Sequence, residues 1–96
     1  MLSSHHLNTF KTLVESLSFT QAAKELGLTQ PAVTQHIQKL EKELGKVLVI
    51  RRAKSLEMTP AGEMLYQYTI KLADQYQAFL ENWYQKETSV QGEGAA

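Results

Sequence analysis

The sequence predicts a mainly α-helical fold: a winged helix-turn-helix, made of three helices and a two-stranded β-hairpin, followed by one long helix. Three observations support this prediction. Apolar residues recur at helical spacing in the first 44 residues and again after residue 60. A short β-branched run lies between these two parts. The length of 96 residues is enough for about one domain.

The first predicted helix covers about residues 5–16. Its apolar residues stand three or four positions apart, so one face of the helix is apolar. They are Leu7, Phe10, Leu13, Val14 and Leu17.

Two further helices are predicted, joined by a short turn. Ser18 followed by Gln21 fits a capping box, which begins a helix over about residues 19–26. Gly27 suits the left-handed position that ends it. Pro31 is favoured in the first turn of the next helix. The apolar face of that helix, and the glycine that ends it, are Val33, Ile37, Leu40, Leu44 and Gly45.

A small hairpin is predicted after the third helix. Residues 47–50 form a continuous, mostly β-branched run, and residues 56–58 alternate between apolar and polar. Both patterns indicate strands. The polar and basic residues 51–55 between them then form a positively charged tip.

The last predicted helix begins at Pro60 and reaches about Lys86. Thr59 is a good N-cap, and the Glu63 carboxylate sits near the positive end of the helix dipole. The final eight residues are small and polar, which is typical of a flexible tail.

The predicted organisation therefore has three parts. Residues 1–59 form the winged helix-turn-helix, residues 60–88 form a linker helix, and residues 89–96 form a flexible tail.

Composition excludes several classes of protein. The sequence has no cysteine, which excludes disulfides, thiolate zinc sites and cysteine nucleophiles within it. No apolar run approaches the roughly 18 residues of a membrane span, and the first residues lack the pattern of a signal peptide. We expect a cytoplasmic protein.

The net charge of zero is a cancellation between two unlike halves. Residues 1–59 contain eight Lys and Arg against five Glu, a net charge of +3. Residues 60–96 contain two Lys against five acidic residues, a net charge of −3. Such asymmetry is a weak indication of contact with nucleic acid.

The spacing of the helix-turn-helix is more specific than the charge. Ala23, Gly27 and Val33 stand four and then six positions apart. The small residue lets the helices cross closely, the glycine permits the turn, and the valine packs the second helix back. A wider set of residues extends this pattern. The set comprises residues 19–26 (FTQAAKEL), 29–37 (TQPAVTQHI), Leu40-Glu41, Leu44-Gly45, Leu48, Arg51, Arg52 and 59–62 (TPAG).

This set strongly resembles the N-terminal DNA-binding region of LysR-type transcriptional regulators, over about residues 5–85. The resemblance implies a regulator whose long helix pairs with that of a partner subunit, giving a homodimer and, in a full-length protein, commonly a tetramer. It also implies a larger C-terminal domain that binds a small-molecule effector. This chain is then either a piece of a longer protein, which we favour, or an unusually short regulator. Gln35 stands where the family often has Arg.

The third helix presents a face suited to reading bases. If the Val33 side chain points into the core, the opposite side of the helix carries amide, hydroxyl and apolar groups. Such groups can contact base edges in the major groove of double-stranded DNA. Since the N-terminal residues of a recognition helix reach the bases, the predicted base-reading residues are Gln30, Pro31, Ala32, Thr34 and Gln35. The same face is also what an ordinary solvated helix presents.

Backbone contacts are predicted around this face. The residues better placed for phosphates are Thr20, Gln21, Thr29 and Lys39. At the hairpin tip, Arg51, Arg52 and Lys54 could follow the backbone or enter a narrow minor groove.

The long helix carries six of the eight aromatic residues. It either folds back as ordinary core or pairs with a second helix, and its apolar stripe is wider than a lone helix could bury. The predicted dimer-interface residues are Leu65, Tyr68, Leu72, Tyr76, Phe79, Leu80 and Trp83. A second row, Tyr66, Ala73, Leu80 and Tyr84, widens this stripe.

Other functions have less support in the sequence. No acid–base pair or nucleophile constellation is present, so neither an enzyme nor a cofactor is expected. His5 and His6 point to different sides of a helix and His36 is distant in sequence, so no metal site is expected. The alternative function is a winged-helix module that binds other proteins and no DNA.

Overall fold

The structure, a computed structural model, describes the backbone of residues 1–94 and the side chains of residues 1–85. The helices are α1 (Ser4–Ser16), α2 (Phe19–Leu26), α3 (Gln30–Leu44) and α4 (Pro60–Gly94). Between α3 and α4 lie the strands β1 (Val49–Arg51) and β2 (Leu56–Met58). The order and type of these elements confirm the predicted fold class.

Side-chain caps begin three of the helices: those at Ser18 and Thr59 are predicted, and the one at Thr29 is not. The Ser18 hydroxyl accepts from the backbone N–H of Gln21 at 3.1 Å, which begins α2. The Thr29 hydroxyl caps α3 in the same way at 3.2 Å. The Thr59 hydroxyl accepts from the Gly62 N–H at 3.0 Å, which begins α4. Each bond satisfies a backbone donor that the first helical turn leaves without a partner.

The end of α1 departs from the prediction. The spacing predicts Leu17 on the apolar face, but Leu17 adopts a left-handed conformation with φ 54° and is 57% exposed. A left-handed turn costs a residue with a Cβ about 1 kcal/mol or more. Here it closes the helix by a hydrogen bond from its N–H to the Leu13 carbonyl.

One apolar core joins α1, α2, α3 and the first turns of α4. Phe10, Leu13, Leu40 and Leu48 are almost completely buried in it. Leu65 of α4 is 7% exposed and belongs to the same core. The core therefore extends past residue 59, and the prediction that Leu65 contacts a partner subunit is wrong because its own chain already buries it.

The start of α4 lies directly against the loop before β1. A Cβ built on Gly62 would meet the Leu48 carbonyl oxygen at 2.0 Å, so this position has no room for a side chain. The Leu48 carbonyl accepts from the backbone N–H of Thr59 at 3.0 Å, and the Thr59 hydroxyl donates to the neighbouring Val47 carbonyl. These contacts fix the hairpin relative to the helices.

The hairpin is shorter than predicted and its strands are antiparallel. Val49 pairs with Met58, and Arg51 pairs with Leu56. The turn is closed by a hydrogen bond from the Arg52 N–H to the Ser55 carbonyl at 2.9 Å. Arg51 therefore lies in β1 and not at the tip, because pairing with Leu56 extends the ladder by one residue beyond the apolar run.

Helix α4 contains 35 residues, a length of about 52 Å at 1.5 Å per residue. Its backbone stays helical to Gly94, so the predicted end near Lys86 is wrong, whereas the flexibility of residues 89–96 stays a prediction. No proline interrupts this stretch, and a glycine within a helix costs only about 1 kcal/mol. Residues 95 and 96 of the predicted tail lie outside the described residues.

A polar cluster lies between α1 and α3. The Thr9 hydroxyl donates to the His5 carbonyl at 3.0 Å, so its oxygen accepts from Nδ1–H of His36 at 2.8 Å. The His6 and His36 rings are 4.7 Å apart. Burial, followed by the neighbouring His6, Lys39 and His5, lowers the pKa of His36 below its usual value. Folding thus brings together two histidines that are distant in sequence, although the side chains described contain no group of three or more metal-ligating residues.

Candidate nucleic-acid interface

The N-terminal half of α3 forms an exposed polar surface. Val33 and Ile37 are buried on the opposite side of the helix, as predicted. Gln30, Pro31 and Gln35 are exposed, and Ala32 and Thr34 are half-buried. All five predicted base-reading residues therefore lie at this end of the helix. Amide and hydroxyl groups on an exposed helix end can hydrogen-bond to base edges.

The predicted backbone-contacting residues surround this surface. Thr20, Gln21, Thr29 and Lys39 are all exposed. Gln21 donates to the Glu25 carboxylate at 3.3 Å, and the Thr29 hydroxyl already caps α3.

The side chains of Thr20 and Gln30 join α2 to α3. Gln30 Nε2 donates to Thr20 Oγ1 at 3.0 Å, so one predicted base-reading side chain touches one predicted backbone-contacting side chain.

The three basic residues of the hairpin have different surroundings. The Arg51 guanidinium carbon lies 4.1 Å from the centre of the Phe19 ring, a cation–π contact with the first residue of α2. Arg52 Nε lies 3.2 Å from the Glu57 carboxylate, and both side chains are more than half exposed. Lys54 is exposed within the turn. The structure thus holds Arg51 beside α2 and leaves Arg52 and Lys54 on the hairpin's outer part.

Two positioning residues were missed by the sequence reasoning. The Glu41 carboxylate accepts from the Leu48 N–H at 2.8 Å and ties α3 to the segment before β1. Phe19 provides the ring on which Arg51 lies. No local signal identifies either partner, because each contact joins two elements whose relative placement depends on the packed core.

A stripe of large apolar side chains along α4 lies outside the core. We call it the α4 stripe: Tyr68, Leu72, Tyr76, Phe79 and Trp83, which are 37–63% exposed. The Phe79 and Trp83 rings stack with their centres 5.8 Å apart. Leu80 is half-buried. Alongside the stripe, a groove between α1 and α4 is lined by Leu7, Lys11, Leu72 and Tyr76.

Tyr66 does not belong with these exposed aromatics. It is half-buried against the core, and its hydroxyl donates to the Glu15 carboxylate at 3.1 Å. The second row predicted along α4 is therefore partly used to pack the helix on its own head.

A winged helix-turn-helix with an exposed α3 surface and a basic hairpin is the class of protein that this geometry defines. Residues 4–63 match the family described as bacterial regulatory helix-turn-helix proteins, lysR family. The chain belongs to this family.

Relatives and solved structures agree with the assignment. The transcriptional regulator BenM of Acinetobacter baylyi is 46% identical over 67 residues, which are 70% of this chain and 22% of BenM. The crystal structure of the BenM DBD with catB site 1 DNA has a TM-score of 0.80 at 37% identity, covering 86% of this chain and 93% of that one. DarR of Vibrio fischeri, solved in complex with DNA, has a TM-score of 0.80 at 31% identity, covering 92% of this chain and 30% of DarR.

The match to BenM thus spans about a fifth of that regulator's length. Among the described residues, no helix has both the length and the apolar character needed to cross a membrane.

Proposed function

We propose that this chain is the sequence-specific DNA-binding region of a bacterial LysR-type transcriptional regulator. The N-terminal end of α3 enters the major groove, and the β1–β2 hairpin lies on the backbone or in the adjacent minor groove. The observation that supports this proposal best is the exposed set of hydrogen-bonding side chains at the start of α3, on a helix whose other face is buried. The BenM and DarR complexes with DNA support it further.

Roles follow from where each side chain lies. Gln30, Pro31, Ala32, Thr34 and Gln35 read bases. The residues that contact the DNA backbone are Thr20, Gln21, Thr29, Lys39, Arg51, Arg52 and Lys54. Because Arg52 is already paired with Glu57, DNA competes with an intramolecular carboxylate for this cation.

The α4 stripe supports a homodimer. Its five large side chains are more than a third exposed in the single chain, and contiguous apolar surface of this kind marks an interaction site. A second copy of α4 laid along the stripe buries it, and the aromatic rings suit an interface that stays partly wet. The two heads of such a dimer read an inverted repeat, with half-site spacing set by the helix pair.

The rest of the proposal concerns the whole regulator. It acts in the cytoplasm, is not an enzyme, and needs no cofactor for DNA binding. A small-molecule effector acts through a C-terminal domain that this chain does not contain, and full-length subunits assemble further into tetramers.

Selection from a pool of random-sequence DNA duplexes tests the proposal. We expect an enriched inverted repeat, and loss of preference at one base position in Gln35→Ala. Gln38→Ala is the matched control, because Gln38 is exposed on the same helix but lies further from its N-terminal end. If no duplex is enriched at moderate salt, the chain is instead a protein-interaction module.

A further inference from the structure

The hydrogen bond between Thr20 and Gln30 joins the two helices of the helix-turn-helix at their exposed surface. Gln30 Nε2 donates to Thr20 Oγ1 at 3.0 Å, and both residues are exposed. Thr20 lies in the first turn of α2, and Gln30 begins α3. The contact lies outside the core. It therefore affects which donors and acceptors the two side chains present to a ligand.

The chemistry of a hydroxyl decides how the Gln30 amide is oriented. A hydroxyl has one proton to donate and lone pairs with which to accept, whereas an amide donates through nitrogen and accepts through oxygen. A Thr20 hydroxyl whose proton is uncommitted can bind either end of the amide. Once the hydroxyl donates its hydrogen bond to another acceptor, its oxygen can bind only the amide N–H groups.

A phosphate is the acceptor that the surroundings of Thr20 favour. Phe19, the preceding residue, holds the Arg51 guanidinium 4.1 Å from its ring centre. A positive charge is therefore fixed beside the start of α2, where backbone N–H groups also favour an anion. A phosphate that approaches there accepts a hydrogen bond from the Thr20 hydroxyl and leaves the hydroxyl oxygen to accept from Gln30.

We propose that Thr20 is a positioning residue that converts a backbone contact into a base preference at Gln30. This inference rests on the proposed function. When the Thr20 hydroxyl donates to a phosphate, Gln30 keeps its nitrogen on Thr20 and turns its Oε1 acceptor toward the major groove.

The orientation selects a chemical class of base. An outward amide oxygen accepts from the N6 amino group of adenine or the N4 amino group of cytosine. It is repelled by the O6 of guanine and the O4 of thymine, which are acceptors themselves. The position read by Gln30 therefore prefers amino-bearing bases, although the second Nε2 proton of Gln30 can still donate to an acceptor.

The experiment compares the base preferences of matched variants. Selection from random-sequence duplexes with the unaltered chain and with Gln30→Ala identifies the position at which the two preferences differ. Four duplexes with A, C, G or T at that position are then titrated with the unaltered chain, Thr20→Val, Thr20→Ser, and Thr20→Val combined with Gln30→Ala. Thermal melting checks that each variant is folded.

We expect the unaltered chain to bind the A or C duplex about five- to tenfold more tightly than the G or T duplex, the low end of one base contact. Thr20→Val should bring this ratio close to one, and Thr20→Ser should preserve it. In the Gln30→Ala background, Thr20→Val should weaken all four duplexes equally.

Two results overturn the inference without affecting the proposed function. One is a Thr20→Val variant that binds all four duplexes more weakly but keeps the same ratio. The other is an unaltered chain that prefers G or T at this position. If the unaltered chain enriches no sequence at all, the proposed function fails and the inference fails with it.

Discussion

Replacing Gly62 by alanine tests how the hairpin is held on the helices. Helix propensity alone predicts that Gly62→Ala stabilises α4 by about 1 kcal/mol. The structure predicts the opposite, because the new Cβ would lie 2.0 Å from the Leu48 carbonyl oxygen and 3.0 Å from its carbon. These are backbone atoms, and ordinary contact begins near 3.4 Å, so the segment before β1 must move by more than 1 Å.

The cost of this movement follows from what Leu48 does. Its carbonyl accepts a hydrogen bond from the Thr59 N–H, and its side chain is 1% exposed in the core. Overpacking of this kind typically costs 1–3 kcal/mol, and each weakened hydrogen bond costs about 1 kcal/mol. After the propensity gain is subtracted, we expect a net loss of about 2 kcal/mol from a total of roughly 5–15 kcal/mol.

Urea unfolding measures the change in the free energy of unfolding, and amide chemical shifts of residues 49–58 report movement of the hairpin. Gly27→Ala is the matched control. A Cβ at Gly27 would meet no atom within 4 Å, but its φ of +66° costs about 1 kcal/mol and leaves the hairpin in place. If Gly62→Ala is as stable as the unaltered chain and its hairpin shifts are unchanged, the reasoning is refuted.

Three further predictions concern the partner surface, the hairpin and pH. Trp83→Ala should weaken dimerisation by about tenfold or more in sedimentation equilibrium without lowering the stability of the head, because Trp83 is 54% exposed; an unchanged dimer would contradict the α4 pairing. Arg52→Ala should weaken binding to all duplexes and reduce the salt slope by about 1, and Glu57→Gln should strengthen binding by releasing Arg52; base-selective effects would argue against a backbone role. Because the folded state lowers the pKa of His36, the unfolded state binds more protons below pH 6.5, so stability should fall as pH falls through that value. Urea unfolding at several pH values should show this slope and its reduction in His36→Gln, and an equal slope in both would exclude His36 as its source.

Much of the fold could be predicted because its signals are local. Ser18, Thr29 and Thr59 each cap a helix through a backbone N–H three residues later. Gly27 and Gly45 end helices in the left-handed conformation that favours glycine. The inward direction of α3 follows from the periodicity that begins at Val33, and the exposed polar surface at the start of α3 follows from that direction.

The sequence by itself thus determined the order of the helices and the hairpin, the outward face of α3 and the apolar stripe of α4, since these depend on spacing and on hydrogen bonds a few residues long. The tertiary structure decided which elements touch. Leu65 packs in its own core, Arg51 lies on Phe19, and Gln30 binds Thr20. Each of these contacts depends on how helices and strands cross, which is a property of the whole packed core.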